Sequence, residues 1–381
     1  MKVVEGKNSN INTAPCILQI CHCYYEPFLD CARQYAVLFK DTPYKVVTVF
    51  LSGEPDPAVA EKACSDEVIF LGYKSKQLSG LKLGIIKKIR QLAKQYNFVA
   101  CIAHRAKPTY VAAMATNLPI LSIRHSFGDF DRPGRRLLVN LFKSRLTLLA
   151  VSNAVRDEIR EKLPDWPQEQ IQTLYNRINV DLVKSELLTT QEAREKLHLP
   201  LNDWIIGSVG RIHPDKDPQT LIRGFAKALP SLPDNAKLCF IGKGRLEAEL
   251  KTLVQELNIN DNVLFLGPIP EARRYFKAFD VFALSSDREP FGMVFLEAMA
   301  AELPIICTDC GGGAEIIEGV GELFKFRDIQ ALSDALINTA SVENSKANNQ
   351  AINSRLETYF SDSAVKTAFW TNPRISKLLK A

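Results

Sequence analysis

At 381 residues, and at about 150 residues per domain, the chain is long enough for two domains or three. Apolar residues make up 46% and charged residues 24%, the mix of a globular protein with a sizeable core, which excludes disordered, collagenous and coiled-coil chains. No apolar run reaches the roughly 18 residues of a membrane span, and the polar stretch Met1 to Ala14 lacks the apolar centre of a secretory signal, so a cytoplasmic location is expected.

Charge is unevenly placed. Residues 1–150 hold 21 Lys+Arg against 11 Asp+Glu, a balance of +10, whereas residues 151–381 hold 27 against 32, a balance of −5. From Val68 to Gly128 there are ten basic residues and no acid. A basic half joined to a mildly acidic half implies a negatively charged partner on one side. The nine cysteines are too sparse for a disulfide scaffold, and Cys21, His22, Cys23 and Cys31 lack the spacing of a zinc site, so small reduced core residues are expected.

In chain order, apolar runs predict buried strands at Cys16–Cys23, Val46–Leu51, Val68–Leu71, Phe98–Ala103, Ile120–Ile123, Leu146–Val151 and Ile171–Tyr175. Helical patterns intervene, including Leu81–Gln95 and Pro133–Lys143. Beyond Pro200, strands are predicted at Trp204–Val209, Lys237–Ile241, Val263–Leu266, Val281–Leu284 and Pro304–Cys307. Helices are predicted at Pro218–Ala228, Arg245–Leu257, Glu271–Lys277, Phe291–Glu302 and Ile329–Thr339. Alternating strands and helices define an α/β chain of two doubly wound Rossmann-like domains. We expect an N-terminal domain over residues 1–180 and a second over 181–350, the strand signal fading between Asn176 and Pro200. Ser341 to Gln350 is polar and reads as a loop or helix start. A helical tail over 351–381, carrying Ile352, Leu356, Phe360, Phe369 and Trp370, is expected to pack back across the domain junction.

Open parallel sheets bind ligands beyond the carboxyl ends of their strands, so the residues after each strand carry the chemistry. After Trp204–Val209 comes Gly210-Arg211-Ile212-His213-Pro214-Asp215-Lys216-Asp217. Two cations beside a helix N-terminus suit a polyanion, although a solvated loop with ordinary charges has the same composition. After Val281–Leu284 comes Ser285-Ser286-Asp287-Arg288-Glu289-Pro290-Phe291-Gly292-Met293. Glu289 and Glu297 are eight apart, with Glu297 about two turns into a helix, so both carboxylates can face one ligand; paired carboxylate oxygens suit vicinal hydroxyls. Gly311-Gly312-Gly313 and Gly242-Lys243-Gly244-Arg245 add two glycine loops on the same rim, where glycine lets backbone approach a ligand.

The run from Trp204 to Phe324, with GSVGRIHPDKDPQTLIRGF, LCFIGKGR, NVLFLG and AFDVFALSSDREPFGMVFLEAMAAELPIICTDCGGGAEII, resembles the donor-binding domain of GT-B glycosyltransferases of the retaining family 4. Agreement continues in LLAVSNAVRDEI and LYNRINVD, where Arg177 and Asn179 replace a glycine and an aspartate usual in the family. After the first strand, His22-Cys23-Tyr24-Tyr25-Glu26-Pro27 replaces the family's glycine-rich loop. The resemblance implies that a nucleotide sugar binds between two domains. Arg211 and Lys216 would clamp its diphosphate beside Gly210, Glu297 would hold the ribose, and Glu289 would contact the sugar. Phe291, Gly292 and Met293 would offer backbone N–H groups, and the base would lie near Gly242, Leu264 and Pro268. His125 matches a position that touches the donor sugar. His125, Arg211, Lys216 and Glu289 form the implied catalytic set, with His104, Arg124 and Tyr24 as acceptor-side candidates.

Such a site would need no metal or other cofactor, since fixed cations meet the leaving charge; Asp129-Phe130-Asp131 reads as a chance triplet. The expected partners are a nucleotide-sugar donor, UDP-sugar favoured, and an anionic or lipid-linked envelope glycan such as lipopolysaccharide core. The inner membrane surface is a further expected partner. Leu81–Gln95 has an apolar stripe edged by Lys82, Lys87, Lys88, Arg90 and Lys94, which fits either a membrane-surface helix or a helix packed on the sheet. Nucleic acid is not expected, because no aromatic–basic interleaving accompanies the charge. A nucleotide-sugar 2-epimerase, a glycogen-type synthase and a catalytically silent nucleotide-sugar sensor are the rival readings.

Overall fold

The computed structural model describes residues 2–5, 14–25, 28–340 and 349–380. Residues 341–348 of the expected Ser341–Gln350 loop, and Glu26 and Pro27 of the loop after the first predicted strand, lie outside the described residues. The chain divides into two compact units, one running through Leu174 and taking in Lys366 onward, the other spanning Tyr175–Val365.

The first unit is built on eight strands: β1 (Lys2–Glu5), β2 (Cys16–Cys21), β3 (Lys45–Phe50), β4 (Glu67–Phe70), β5 (Phe98–His104), β6 (Ile120–Arg124), β7 (Leu146–Ala150) and β8 (Ile171–Thr173). Their order is β1-β4-β3-β2-β5-β6-β7-β8, with β1 antiparallel to β4 and the rest parallel. Helices cover the strands on both faces, which is why the runs CILQIC and ILSIR are buried throughout and read as continuous apolar segments rather than alternating ones. The strand reading missed β1, whose four residues KVVE lie in a polar N-terminus and form a short edge.

The second unit carries β9 (Trp204–Val209), β10 (Ala236–Ile241), β11 (Val263–Gly267), β12 (Val281–Leu284), β13 (Ile305–Thr308) and β14 (Glu322–Phe324). All are parallel, in the order β11-β10-β9-β12-β13-β14. That is the doubly wound order, and it reverses between β9 and β12, the switch point where such sheets hold ligands. The sheet packs on a core including Ile206, Phe225, Leu238 and Leu336; full burial of each such side chain contributes roughly 1.5–3 kcal/mol.

Where the strand signal fades, two short helices form, Val180–Glu186 and Thr190–Lys196, the first capped by the Asn179 side chain and the second by a Thr189/Glu192 capping box. The segment expected as a helix over Glu271–Lys277 is a 3-10 run, Ala272–Ala278. The tail forms helices Asn349–Tyr359, Asp362–Thr371 and Pro373–Lys380. In the first unit, Phe369 and Trp370 each lie 5.5 Å from Phe39, ring centre to ring centre.

Candidate functional site

At the switch point of the second sheet, β9 and β12 pair through Val281–Ile206 and Phe282–Gly207, so the loops leaving them start side by side. The β9 loop forms a 3-10 turn, Pro214–Lys216, and enters helix Pro218–Ala228 through Asp217 in the left-handed region. The β12 loop is laced to it. Ser285 Oγ donates to the carbonyl of Asp217 at 2.7 Å, and the Asp287 N–H donates to the carbonyl of Asp215 at 3.0 Å. These bonds bring Lys216 Nζ onto Glu289 Oε2, pairing side chains 73 residues apart. Only 21% of the Lys216 side chain and 11% of that of Glu289 are exposed, so the pair is screened far less than a surface salt bridge. An ammonium has three donors, so contact with Glu289 still leaves hydrogens for an anion.

Glu289 is held from behind. The N–H of Gly312 donates to its carbonyl at 2.7 Å, and a Cβ on Gly311, at φ +67, would fall on the same carbonyl. The glycine run is therefore the first turn of helix Gly311–Ile317, with Gly312 and Gly313 buried, and not the open loop expected from its sequence. Backbone without side chains is what allows that helix to press against Glu289.

The other rim loops are joined main chain to main chain. Gly210 N–H donates to Ile241 O at 2.9 Å, Gly242 N–H to Gly267 O at 2.8 Å, and Ile212 N–H to Lys243 O at 3.1 Å. Arg211 is mostly exposed and bonds Asp215 at 3.1 Å, so the two cations of this loop hold different acids. Burial opposes ionisation of Asp215, but hydrogen bonding from His213 and the charges of Arg211 and Lys216 outweigh it and hold the carboxyl below its ordinary range.

Helix Met293–Ala300 begins after Gly292, at φ 92. Glu297 is its fifth residue, a little over one turn in rather than two, and is half-buried. Phe291 is buried, with ring centres 6.0 Å from both Tyr175 and Phe360. Leu264 lies within β11, half-buried, and Pro268 is exposed just beyond that strand. Sequence reasoning passed over Ser285 and the buried Ser286, whose Oγ has no hydrogen-bond partner among the described residues; their place directly after β12 was the available signal.

In the first unit, His104 ends β5 and His125 follows β6. Their rings stack, with His104 Nδ1 and His125 Nε2 3.1 Å apart. His104 Nε2 lies 3.4 Å from Gln19 Oε1, and His125 Nδ1 lies 3.6 Å from Cys31 Sγ. Both amide hydrogens of Gln19 are spent, on Ala32 O at 3.0 Å and Thr48 Oγ1 at 2.8 Å. Its oxygen must therefore accept, so His104 carries its proton on Nε2 and accepts at Nδ1. His125 then donates from Nε2 and accepts the Cys31 thiol proton at Nδ1. Both rings are neutral: burial, then the charge of Arg105, pushes His104 down to about 3. Desolvation, then His104, Arg105 and Arg124, push His125 well below the usual value.

A histidine whose folded pKa lies below its unfolded value contributes stability above pH 6.5 and loses it as pH falls toward the folded pKa. Chemical denaturation at pH 7 and pH 5 should therefore show His104→Gln losing about 2 kcal/mol less than the parent over that interval. An equal loss in both proteins would contradict the assignment.

His104 and Arg124 are 2% and 1% exposed. Asp129 is engaged on both oxygens, by Arg124 at 3.3 Å and Arg135 at 2.8 Å. Tyr24 packs edge-on to Phe50 and Phe70, at 5.8 and 5.7 Å.

Two doubly wound α/β units are the architecture of GT-B glycosyltransferases. The chain belongs to their group 1: the family described as Glycosyl transferases group 1 matches residues 189–356, and Glycosyltransferase Family 4 matches residues 45–182. It is an enzyme of that kind. Among curated relatives, N-acetyl-alpha-D-glucosaminyl L-malate synthase of Bacillus anthracis is 26% identical over 283 residues, 71% of this chain and 73% of the relative. Against four further curated relatives the chain spans 37% to 59% of their length. A glycosyltransferase of Rickettsia africae ESF-5 superposes with a TM-score of 0.82 at 18% identity, over 97% of this chain and 99% of its own. Anabaena Alr3699/HepE, solved in complex with UDP and glucose, gives 0.74 at 20% identity, over 96% and 99%. At such identities the likeness is one of fold.

Proposed function

We propose that the enzyme moves a hexose or N-acetylhexosamine from a UDP-sugar to a hydroxyl of an anionic or lipid-linked envelope glycan, such as lipopolysaccharide core. In this reading it retains anomeric configuration, uses no metal, and works in the cytoplasm at the inner membrane surface. The observation that carries this reading is the Lys216–Glu289 pair fixed at the switch point by the Ser285 and Asp287 bonds. Lys216 and Arg211 meet the diphosphate, Glu289 the sugar hydroxyls and Glu297 the ribose. The N-terminal amides of helix Met293–Ala300 face the phosphates, and the base rests along Gly242, Leu264 and Pro268. UDP bound to the Anabaena protein of the same fold supports the choice of base.

In the reaction, the bond from the anomeric carbon to the β-phosphate oxygen breaks, and the acceptor oxygen bonds that carbon on the same face. The acceptor proton passes to the departing phosphate. Charge grows on the diphosphate, and preorganised cations lower the barrier by about 3 kcal/mol per group. Turnover is then expected to survive chelation by EDTA.

Thermal unfolding with UDP-, GDP- and ADP-sugars tests the donor. A ligand at a hundred times its dissociation constant stabilises by about 2.7 kcal/mol. A shift of several degrees is expected with a UDP-sugar and little with the others; a shift with ADP-sugars alone would overturn the assignment. A burst of covalently glycosylated enzyme would overturn same-face attack in favour of double displacement.

A further inference from the structure

Three helices of the first unit begin on a cation. Leu83–Leu92 is preceded by Lys82 at φ 54, Ala106–Ala115 by Arg105 at φ 71, and Pro133–Leu141 by Arg132. None has a capping side-chain bond or an acid in its first turn, and Lys107, Arg135 and Arg136 add further positive charge there. A helix N-terminus carries positive partial charge, so each such cation is adverse there. Four other helices are capped by side chains, Asp56, Ser152, Asn179 and Thr189, and the helices from Pro218, Glu247, Met293 and Gly311, which also lack a capping bond, follow Asp217, Leu246, Gly292 and Cys310 and not a cation. The inversion is local, and it converges on one place. Lys82, Lys107, Arg132 and Arg135 line a single groove of about 450 Å³.

Arg124 lies on the wall of the same groove, 1% exposed. One end of its guanidinium meets Asp129 at 3.3 Å, but its buried Nε has no hydrogen-bond partner among the described residues. Lys82 Nζ donates to the carbonyl of Gly80 at 2.6 Å and lies over the Tyr110 ring, and burial, then the charge of Lys107, lowers its basicity. The lining residues include no carboxylate.

The rest of the groove is apolar. Met114, Leu137 and Leu141 line it and are 40%, 72% and 73% exposed. Leu81 and Leu83, on either side of Lys82, are 69% and 68% exposed. These five are half of the ten exposed large hydrophobic residues among the described residues, and clustering of that kind marks a binding surface.

We infer that this groove binds a lipid phosphate, its phosphate at the three helix starts and one hydrocarbon chain along the leucines. The inference rests on reading the acceptor as lipid-linked, and it locates the lipid part. A soluble anion would leave the leucines in water. A second copy of the chain would bring the same cations onto themselves in a two-fold contact.

The test is calorimetric titration of the full chain with monomeric decyl phosphate, with no donor present. Saturable 1:1 binding is expected, at least tenfold tighter than that of inorganic phosphate or decanol. Lys107→Ala and Leu137→Asp should each weaken it tenfold or more while leaving UDP binding intact. Equal affinity for inorganic phosphate, or no change in both variants, would overturn the site. So would binding to anionic phospholipid vesicles without binding to monomeric decyl phosphate, which would mark a membrane surface. Dissociation of a dimer by Leu137→Asp with decyl phosphate binding unchanged would mark a contact between copies. Loss of UDP binding in the parent protein would remove the donor reading and leave this one standing.

Discussion

Lys216→Ala is expected to lower kcat for sugar transfer by a hundredfold or more. Lys216 enters the rim on a 3-10 turn whose carbonyls are gripped by Ser285 and Asp287, so its ammonium is placed before any ligand arrives. A cation aimed at charge that grows in the transition state lowers the barrier without reorganisation, and removing one such group costs about 3 kcal/mol. The substitution also strips Glu289 of its partner, leaving a nearly buried carboxylate uncompensated. Lys216→Met and Glu289→Gln, alone and together, separate the two effects. If the pair acts on the donor as a unit, the double variant loses about as much activity as the worse single one. A loss below tenfold in Lys216→Ala, with circular dichroism unchanged, would remove Lys216 from the chemistry.

Gly242→Ala should destabilise the second unit by about 3 kcal/mol or more. Gly242 directly follows β10, at φ +141, and a Cβ there would run into the carbonyl of Gly210. The obstacle is backbone in the neighbouring strand's exit loop, so no side chain can swing aside, and overpacking of that kind is among the larger single-residue costs. Gly72→Ala is the comparison: it also has positive φ, +66, but open space around it, so it should cost only about 1 kcal/mol. Urea denaturation reads both. Equal costs would show that backbone conformation, and not the crossing of the two loops, sets the requirement for glycine.

The sheets were legible because buried parallel strands must be continuously apolar; Trp204–Val209 and Val281–Leu284 fall where their sequences place them. The edges were not. Strands β1 and β14 have only four and three residues, too short for a distinct pattern, and Glu322 and Leu323 of β14 are exposed. Rim residues could be read by position after each strand, since the switch point follows from strand order. Their pairing could not: the meeting of Lys216 with Glu289 depends on two loops clasping 73 residues apart. The triple glycine misled for a physical reason, because residues poor in helix propensity sit in a helix turn where contact with Glu289 demands small size. Gln19 was hidden inside an apolar run, although a polar residue amid CILQIC was itself the sign of a buried hydrogen-bond network. The basic helix starts became meaningful only once the helix over residues 81–95 proved to be Leu83–Leu92, which puts Lys82 at its cap.

The central claim is that the carboxyl-end rim of the second sheet receives the diphosphate of a nucleotide sugar. A crystal structure of the enzyme with UDP tests it most directly. The account predicts the β-phosphate within hydrogen-bond distance of Lys216 Nζ and of the first amides of helix Met293–Ala300, with the ribose at Glu297. UDP seated on the first unit, or on the second with Lys216 still bonded only to Glu289, would contradict it.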